Sequence, residues 1–402
     1  MTAWLAVIGL GEDGVAGLGA AQRALIAGAE TLFGGARHLA LAPDCAAEKL
    51  RWRSPLEASL HDIAARRGRR VVVLASGDPL CYGVGAMLAR NFAAEEMIVL
   101  PAPSAFALAC ARLLWPREDC VTLSLHGRPL DKLRLHLAPG ARILALSTDG
   151  DTPAQVAALL SDTGWGPSAL SVLEHLGGPR ERRLDGTAAH WPHDRTADLN
   201  LVAIECRPGP SARALPRLAG LPDDCFLHDG QITKREVRAA TLAALAPLPG
   251  ELLWDVGAGS GSIAIEWLRA GRNMRASAIE RDKARASLIA RNAAALGVPE
   301  LEIRIGAAPA ALHDLPSPDA VFFGGGLGEE SFELAWNALR AGGRLVANAV
   351  TLESEARLVA LADRWGGALT RIAVARAEKI GASHTFRPHL AVTQLALRKA
   401  GP

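Results

Sequence analysis

Aromatic residues are scarce in this chain: they make up 4% of its 402 residues, and Tyr82 is the only tyrosine. So few rings leave little with which to stack nucleobases, and a formal net charge of +2 gives no broad basic surface. Both counts argue against a nucleic-acid binder. The six cysteines (Cys45, Cys81, Cys110, Cys120, Cys206, Cys225) are scattered, with no CxxC or other metal spacing. That excludes a zinc ribbon and a disulfide framework and leaves reduced, cytoplasmic thiols as the expectation. His175, His190 and His193 keep no metal-ligand spacing either, so no metal is expected. No stretch of about twenty apolar residues lacks charges or breakers, so no membrane span is expected. The opening MTAWLAVIGLGEDG has no basic stretch before its apolar run; it reads as a first strand, not a signal peptide. A Ser–His–Asp set and a carboxylate dyad are also missing.

Glycine and hydrophobic residues, by contrast, are plentiful: 40 glycines and 50% hydrophobic residues, a composition that suits α/β domains. The length allows two or three of them. The clearest stretch is Leu252 to Trp267, LLWDVGAGSGSIAIEW. A buried strand ending in Asp255 and Val256 turns through Gly257, Gly259 and Gly261 into a helix, the first half of a nucleotide-binding βα unit. Ser262 stands where a dinucleotide fingerprint needs its third glycine, which opposes a nicotinamide-dependent oxidoreductase. Glu280, at the end of the next strand and 23 residues after Gly257, stands where ribose hydroxyls need an acceptor. The pattern resembles the S-adenosylmethionine loop of class I methyltransferases.

A second strand–glycine–helix start opens the chain. Trp4 to Ile8 leads into Gly9-Leu10-Gly11-Glu12-Asp13-Gly14, with a helix pattern around Gln22 to Ala29. Arg51 to Arg70, with six arginines, reads as a solvated helix face. Val71 to Leu74 is a buried parallel strand running into Ala75-Ser76-Gly77-Asp78-Pro79-Leu80-Cys81-Tyr82-Gly83. Pro101-Ala102-Pro103-Ser104, then Leu123-Ser124-Leu125-His126-Gly127-Arg128, then Asn200-Leu201-Val202 follow in order. This set resembles the tetrapyrrole methylase family, the class III S-adenosylmethionine methyltransferases, over roughly residues 1 to 207. The resemblance implies two α/β subdomains with the cofactor in the cleft between them, the break falling near Ala111 to Pro116. It places Leu10 and Gly11 on the substrate side, Gly77, Asp78, Tyr82 and Ser104 on the cofactor side, and His126 near the cofactor. Glu12 departs from the family, which has proline in that loop.

Cys206 to Pro222, CRPGPSARALPRLAGLP, reads as a linker; the expected division is 1–207, a linker over 208–222, and 223–402. Thr233 with Glu236 forms a capping box that starts a helix running through Ala246. Lys234 and Arg235 at that helix start oppose its dipole and point to an anionic partner. Asp282 to Leu296 is helical. Strands at Leu301 to Ile305 and Asp319 to Phe323 end in Gly306-Ala307-Ala308 and Gly324-Gly325-Gly326. Thr370 to Ala375 and His389 to Leu397 complete a seven-stranded sheet, joined by a basic connector containing Arg376, Lys379, His384, Arg387 and His389.

DGQITK, the GAGSGSIAIEW loop, FFGGG and GGRLVANAVTLE together resemble the class I decarboxylating methyltransferases of cobalamin synthesis. The resemblance implies a fusion of class III and class I folds that binds S-adenosylmethionine twice, releases S-adenosylhomocysteine and acts on a precorrin. Carbon 5 would be methylated by the N-terminal domain. The C-terminal domain would methylate carbon 15 and decarboxylate the carbon-12 acetate, taking precorrin-6B to precorrin-8. It implies cofactor contacts at Thr233, Asp255, Gly257, Gly259, Gly261, Glu280 and Ala307, the last through backbone, since no acid follows that strand. Substrate contacts fall to Gly325, Lys379 and Arg387, and catalytic roles to Lys234, Asn348 and His126. A homo-oligomer, tetrameric through the C-terminal domain, is implied as well. An RNA methyltransferase and a non-catalytic cofactor-binding scaffold are the competing readings.

Overall fold

A computed structural model describes residues 3–401 as two compact units. The first comprises residues up to Arg128 together with Ala138–Arg213. The second comprises Pro129–Leu137 and the chain from Ala214 onward. The changeover therefore falls at Arg213 and Ala214, and one short internal segment joins the second unit.

The first unit contains two sheets. Strands β1 (Leu5–Leu10), β2 (Thr31–Gly34), β3 (Glu48–Arg51), β4 (Val71–Ser76) and β5 (Met97–Leu100) form a parallel sheet of order β3-β2-β4-β1-β5. β1 and β4 sit centrally, and nearly every residue in them is buried. This is what continuous Val/Ile/Leu runs dictate when both faces of a parallel sheet are covered. The second sheet is mixed: β6 (Cys120–Ser124), β7 (Arg142–Leu146), β8 (Ala169–Glu174), β9 (Arg182–Thr187) and β10 (Asn200–Glu205), in the order β6-β7-β10-β8-β9. The helix Ala105–Leu113 buries Phe106, Ala109 and Cys110 against Leu144, Leu173 and Leu201 of this second sheet. The break between subdomains thus precedes that helix, at Pro101–Ser104, and is not at Ala111–Pro116 as the sequence led us to expect. The helix's apolar face belongs to the later sheet, which the turn chemistry around Pro116 does not reveal.

In the second unit, β11 (Leu252–Val256), β12 (Arg275–Glu280), β13 (Glu302–Ile305), β14 (Ala320–Phe323), β15 (Arg344–Ala349), β16 (Ala368–Ile372) and β19 (Val392–Arg398) form a seven-stranded sheet, order β13-β12-β11-β14-β15-β19-β16. Its two faces carry separate cores, one around Trp267 and Phe322, the other around Trp254 and Phe323. The strand order reverses at β11 and β14, so the crevice beyond their carboxyl ends is where such sheets take ligands. The basic connector is a hairpin of its own, β17 (Ala375–Ile380) with β18 (Ser383–Pro388), outside the main sheet and largely exposed.

The expected capping box does not form. The helix spans Arg235–Leu245, Lys234 occupies the cap position, and no side chain caps it. Thr233 instead presents its carbonyl to the Arg238 guanidinium (2.5 Å), and Glu236 accepts from Arg376 (2.6 Å). The helix begins one residue later than the box requires, so Thr233 lies outside the cap position, and Glu236 is drawn to Arg376 by a charge-assisted hydrogen bond.

Candidate functional site

Each unit holds a cavity at the carboxyl ends of its parallel strands. In the first, a cavity of about 740 Å³ is lined by Leu10, Gly11, Gly77, Asp78, Tyr82, Ser104 and His126, all seven residues expected there. Its floor is a knot of backbone. Gly77 N–H donates to Leu10 O (3.1 Å), and Ala102 N–H donates to Gly77 O (3.0 Å). A Cβ on Gly9 would collide with that Gly77 carbonyl, so three loops meet only because glycine stands there. Asp78 steadies the loop by accepting from Leu80 N–H (2.9 Å). Ser104 caps the helix that follows it, its Oγ accepting from Ala107 N–H (3.2 Å); part of its work is therefore structural. Tyr82 holds a left-handed backbone (φ 57°) and donates its hydroxyl to Thr122 O (3.1 Å).

The same cavity contains a polar cluster that sequence reasoning missed. Arg37 pairs with Glu12 and donates to Ser76 Oγ (2.7 Å); His38 Nε2 lies 2.8 Å from that hydroxyl. His175 Nδ1 lies 3.4 Å from the other Glu12 oxygen. Burial, then the neighbouring Arg37 charge, push His38 down to about 4. Burial, then Arg180, lower His175 as well. Glu12, the residue in place of the family's proline, thus ties a residue beside the first sheet to one beside the second. The departure was visible in sequence; its partners, 25 and 163 positions away, carried no local signal.

In the second unit a cavity of about 870 Å³ is lined by Thr233, Lys234, Gly257, Gly259, Glu280, Ala307, Gly325 and Asn348. Gly257 (φ 71°) passes close to Gly325, and a Cβ on Gly257 would stand 2.7 Å from the Gly325 nitrogen. Glu280 is buried, its two oxygens accepting from Gly259 N–H (2.8 Å) and Asp282 N–H (3.0 Å). The carboxylate shapes the glycine loop and keeps further lone pairs for hydroxyls. Lys234 makes no ion pair or hydrogen bond through its ammonium among the described residues. Asn348 has its amide engaged on both sides: Nδ2 donates to Thr241 Oγ1 (2.9 Å) and Oδ1 accepts from Gln394 (2.9 Å).

Four expected residues are not in the cavity lining. Gly261 begins the helix Ser262–Ala270 from beneath the loop. Asp255 is fully buried, with Oδ2 accepting from Ala264 N–H (3.0 Å) and Oδ1 meeting no partner. Burial foremost, with Glu280 adding to it against the Ala264 hydrogen bond, pushes the Asp255 carboxyl up to about 7. It holds the loop and helix together from behind. Lys379 and Arg387 stand exposed on the hairpin, and Arg387 pairs with Glu378 (3.2 Å). Alternation puts them on opposite faces of a two-stranded ribbon that is exposed on both. His389 does line the cavity, with its Nε2 buried and unpartnered. Arg285, also in the lining, ties down the loop before the helix, donating to Asp229 (2.8 Å) and Gln231 (2.9 Å).

The cradle fits S-adenosylmethionine in chemical type: glycines for close approach, a strand-end carboxylate for ribose, and apolar walls. No group of three or more metal-ligating side chains gathers among the described residues, and no helix there is long and apolar enough to cross a membrane.

Comparison with known proteins follows the same division. Residues 5–191 match the tetrapyrrole (corrin/porphyrin) methylases, and residues 224–399 match the precorrin methyltransferase domain. A precorrin-6Y C(5,15)-methyltransferase [decarboxylating] of Sinorhizobium sp is 53% identical over 398 residues, covering 98% of this chain and 96% of that protein. A cobalt-precorrin-7 C(5)-methyltransferase of Salmonella typhimurium is 35% identical over 190 residues, 46% of this chain and 89% of that one. A probable cobalt-precorrin-6B C(15)-methyltransferase (decarboxylating) of Saccharolobus solfataricus is 33% identical over 156 residues, 37% of this chain and 78% of that one.

Proposed function

The chain belongs to the family of decarboxylating precorrin-6Y C(5,15)-methyltransferases, and from that premise we propose that each unit binds S-adenosylmethionine and directs its methyl group to one carbon of a precorrin. The first unit methylates carbon 5. The second methylates carbon 15 and releases the carbon-12 acetate carboxyl as carbon dioxide, so that precorrin-6B becomes precorrin-8. The observation that carries this reading is the pair of differently built, glycine-floored cavities, one per unit.

S-adenosylmethionine, when bound, supplies a methyl already activated on a sulfonium. The protein's part is then alignment and exclusion of water, worth roughly 7–11 kcal/mol when complete. In the second unit Glu280 and the Gly257–Gly259 backbone hold the ribose and its neighbours, and Ala307 offers only backbone to the adenine. Loss of carbon dioxide leaves a methylene carbon that must take up a proton to become a methyl group. Lys234, cationic and unpaired at the cavity, orients the acetate or supplies that proton, and Asn348 fixes the wall beside it. In the first unit Leu10, Gly11 and His126 face the substrate and cofactor.

Among the described residues no disulfide joins any of the six cysteines, which suits a reducing cytoplasm. The hairpin, with Ile380 60% and Phe386 74% exposed, supports a homo-oligomer, a tetramer assembled through the second unit; sedimentation gives the mass. The deciding experiment for the activity is product mass from the full chain supplied with S-adenosylmethionine and precorrin-6B. Two methyl groups gained and one carbon dioxide lost is the expected result; an unchanged tetrapyrrole would refute the reading.

A further inference from the structure

We infer that Arg128, stacked on Tyr82 in the first cavity, is a carboxylate-binding residue of that unit, a role that rests on the methyltransferase reading. Both lie in the cavity lining. The guanidinium carbon of Arg128 is 5.0 Å from the centre of the Tyr82 ring, within cation–π range. The Arg128 backbone and the Tyr82 ring are both held. Arg128 follows Gly127 (φ 63°), and its N–H donates to Leu125 O (3.0 Å). Tyr82 is fixed by its hydroxyl on Thr122 O and by packing against Phe106, ring centres 5.9 Å apart.

Tyr82 keeps a left-handed backbone that residues with a Cβ disfavour, and such strain gathers at ligand clamps. What it holds is an aromatic platform, 48% exposed, with a cation on it. Stacking engages the guanidinium's face and leaves its N–H edge for a planar acceptor. Among the described residues no side chain or carbonyl accepts from that edge. Arg37, in the same lining, is by contrast occupied by Glu12 and Ser76. The other acids of the lining are engaged elsewhere: Asp78 with Leu80 N–H, Asp198 with Arg195 and Gly150 N–H. An exposed guanidinium resting on a ring, with no acid partner among the described residues, offers a carboxylate two parallel hydrogen bonds.

Two sources present that chemistry: an acidic side chain of the tetrapyrrole and the amino-acid end of the cofactor. The test titrates the full chain, its Arg128→Gln and Arg128→Lys variants, with S-adenosylhomocysteine by calorimetry. A porphyrin octacarboxylate and its octamethyl ester are titrated by absorbance. Arg128→Gln should weaken the carboxylate ligand concerned by about ten-fold or more, with the difference shrinking in high salt. Arg128→Lys should recover only part, since an ammonium has no fork. Weakened porphyrin-acid binding alone identifies the tetrapyrrole as the source; weakened binding at one homocysteine site alone identifies the cofactor. Wild-type affinities in Arg128→Gln, or equal losses for acid and ester, overturn the assignment and leave the methyltransferase reading standing. A wild-type chain that binds none of these ligands overturns both.

Discussion

Asp255 and Glu280 end neighbouring strands, yet burial gives them different work. Asp255 lies behind the glycine loop with one oxygen unpartnered and its carboxyl raised to about 7. A folded-state acid raised above its unfolded value favours the fold below the unfolded range, and that advantage is lost as pH rises through about 7. The ceiling on the effect is on the order of 4 kcal/mol. Asp255→Asn removes the titration. The melting temperature of the variant relative to wild type should therefore climb between about pH 4 and 7 and level off above; a flat difference across that range would refute the burial argument. Glu280 faces the cavity, and Glu280→Ala should weaken S-adenosylhomocysteine at the second unit ten-fold or more by calorimetry. Unchanged affinity would remove Glu280 from the ribose. The sequence made Glu280 legible because a strand-end acid at fixed distance from a glycine loop has one geometry. It could not separate Asp255 from the ligand, since one more residue of strand decides whether a side chain faces the cleft or the core.

Among the elements, the helix Arg235–Leu245 shows where local rules stop. Its N-terminus is organised by its own Arg238, on the Thr233 carbonyl, and by Arg376 of the hairpin, on Glu236, not by a reciprocal Thr233–Glu236 cap. Arg238, fully buried, donates to Glu266 (2.6 Å) and stacks over Phe226 at 4.7 Å. Glu266 in turn accepts from Gly220 and Leu221 N–H (2.6 and 2.9 Å). One ion pair therefore fastens two helices and the incoming chain, and it sets the stretch that lines the cavity at Gly230–Lys234. Removing one partner strands a buried charge. Glu266→Ala should lower stability by roughly 3–5 kcal/mol in urea unfolding, and a loss under about 1 kcal/mol would mean the site relaxes or admits water. The strands that run into the glycine turns were readable from their apolar runs and the turns from spacing, whereas β2, β3 and β5–β9 were not singled out. The basic connector was not readable as a hairpin, because its residues are exposed on both faces and leave no apolar alternation to detect.

At the scale of the whole chain, the order of two glycine loops of different type was legible from motifs alone, whereas the membership of Pro129–Leu137 in the second unit was not. That segment is stitched in by contacts such as Lys132 with Glu300 (2.8 Å), 168 positions apart, which no local pattern encodes. Each cavity is lined entirely by residues of its own unit, so a lesion in one should leave the other intact. Gly257→Ala is the sharpest lesion: it forces a Cβ to within 2.7 Å of Gly325 backbone at a left-handed φ, and backbone cannot step aside as a flexible side chain can. Wild type should bind two S-adenosylhomocysteine molecules per chain, and Gly257→Ala one, with the remaining affinity unchanged. In turnover the variant should fail to add the carbon-15 methyl, while a substrate already methylated and decarboxylated there should still gain its carbon-5 methyl at the wild-type rate. Parallel loss of both activities, with the fold intact by circular dichroism, would show that the two units do not work independently.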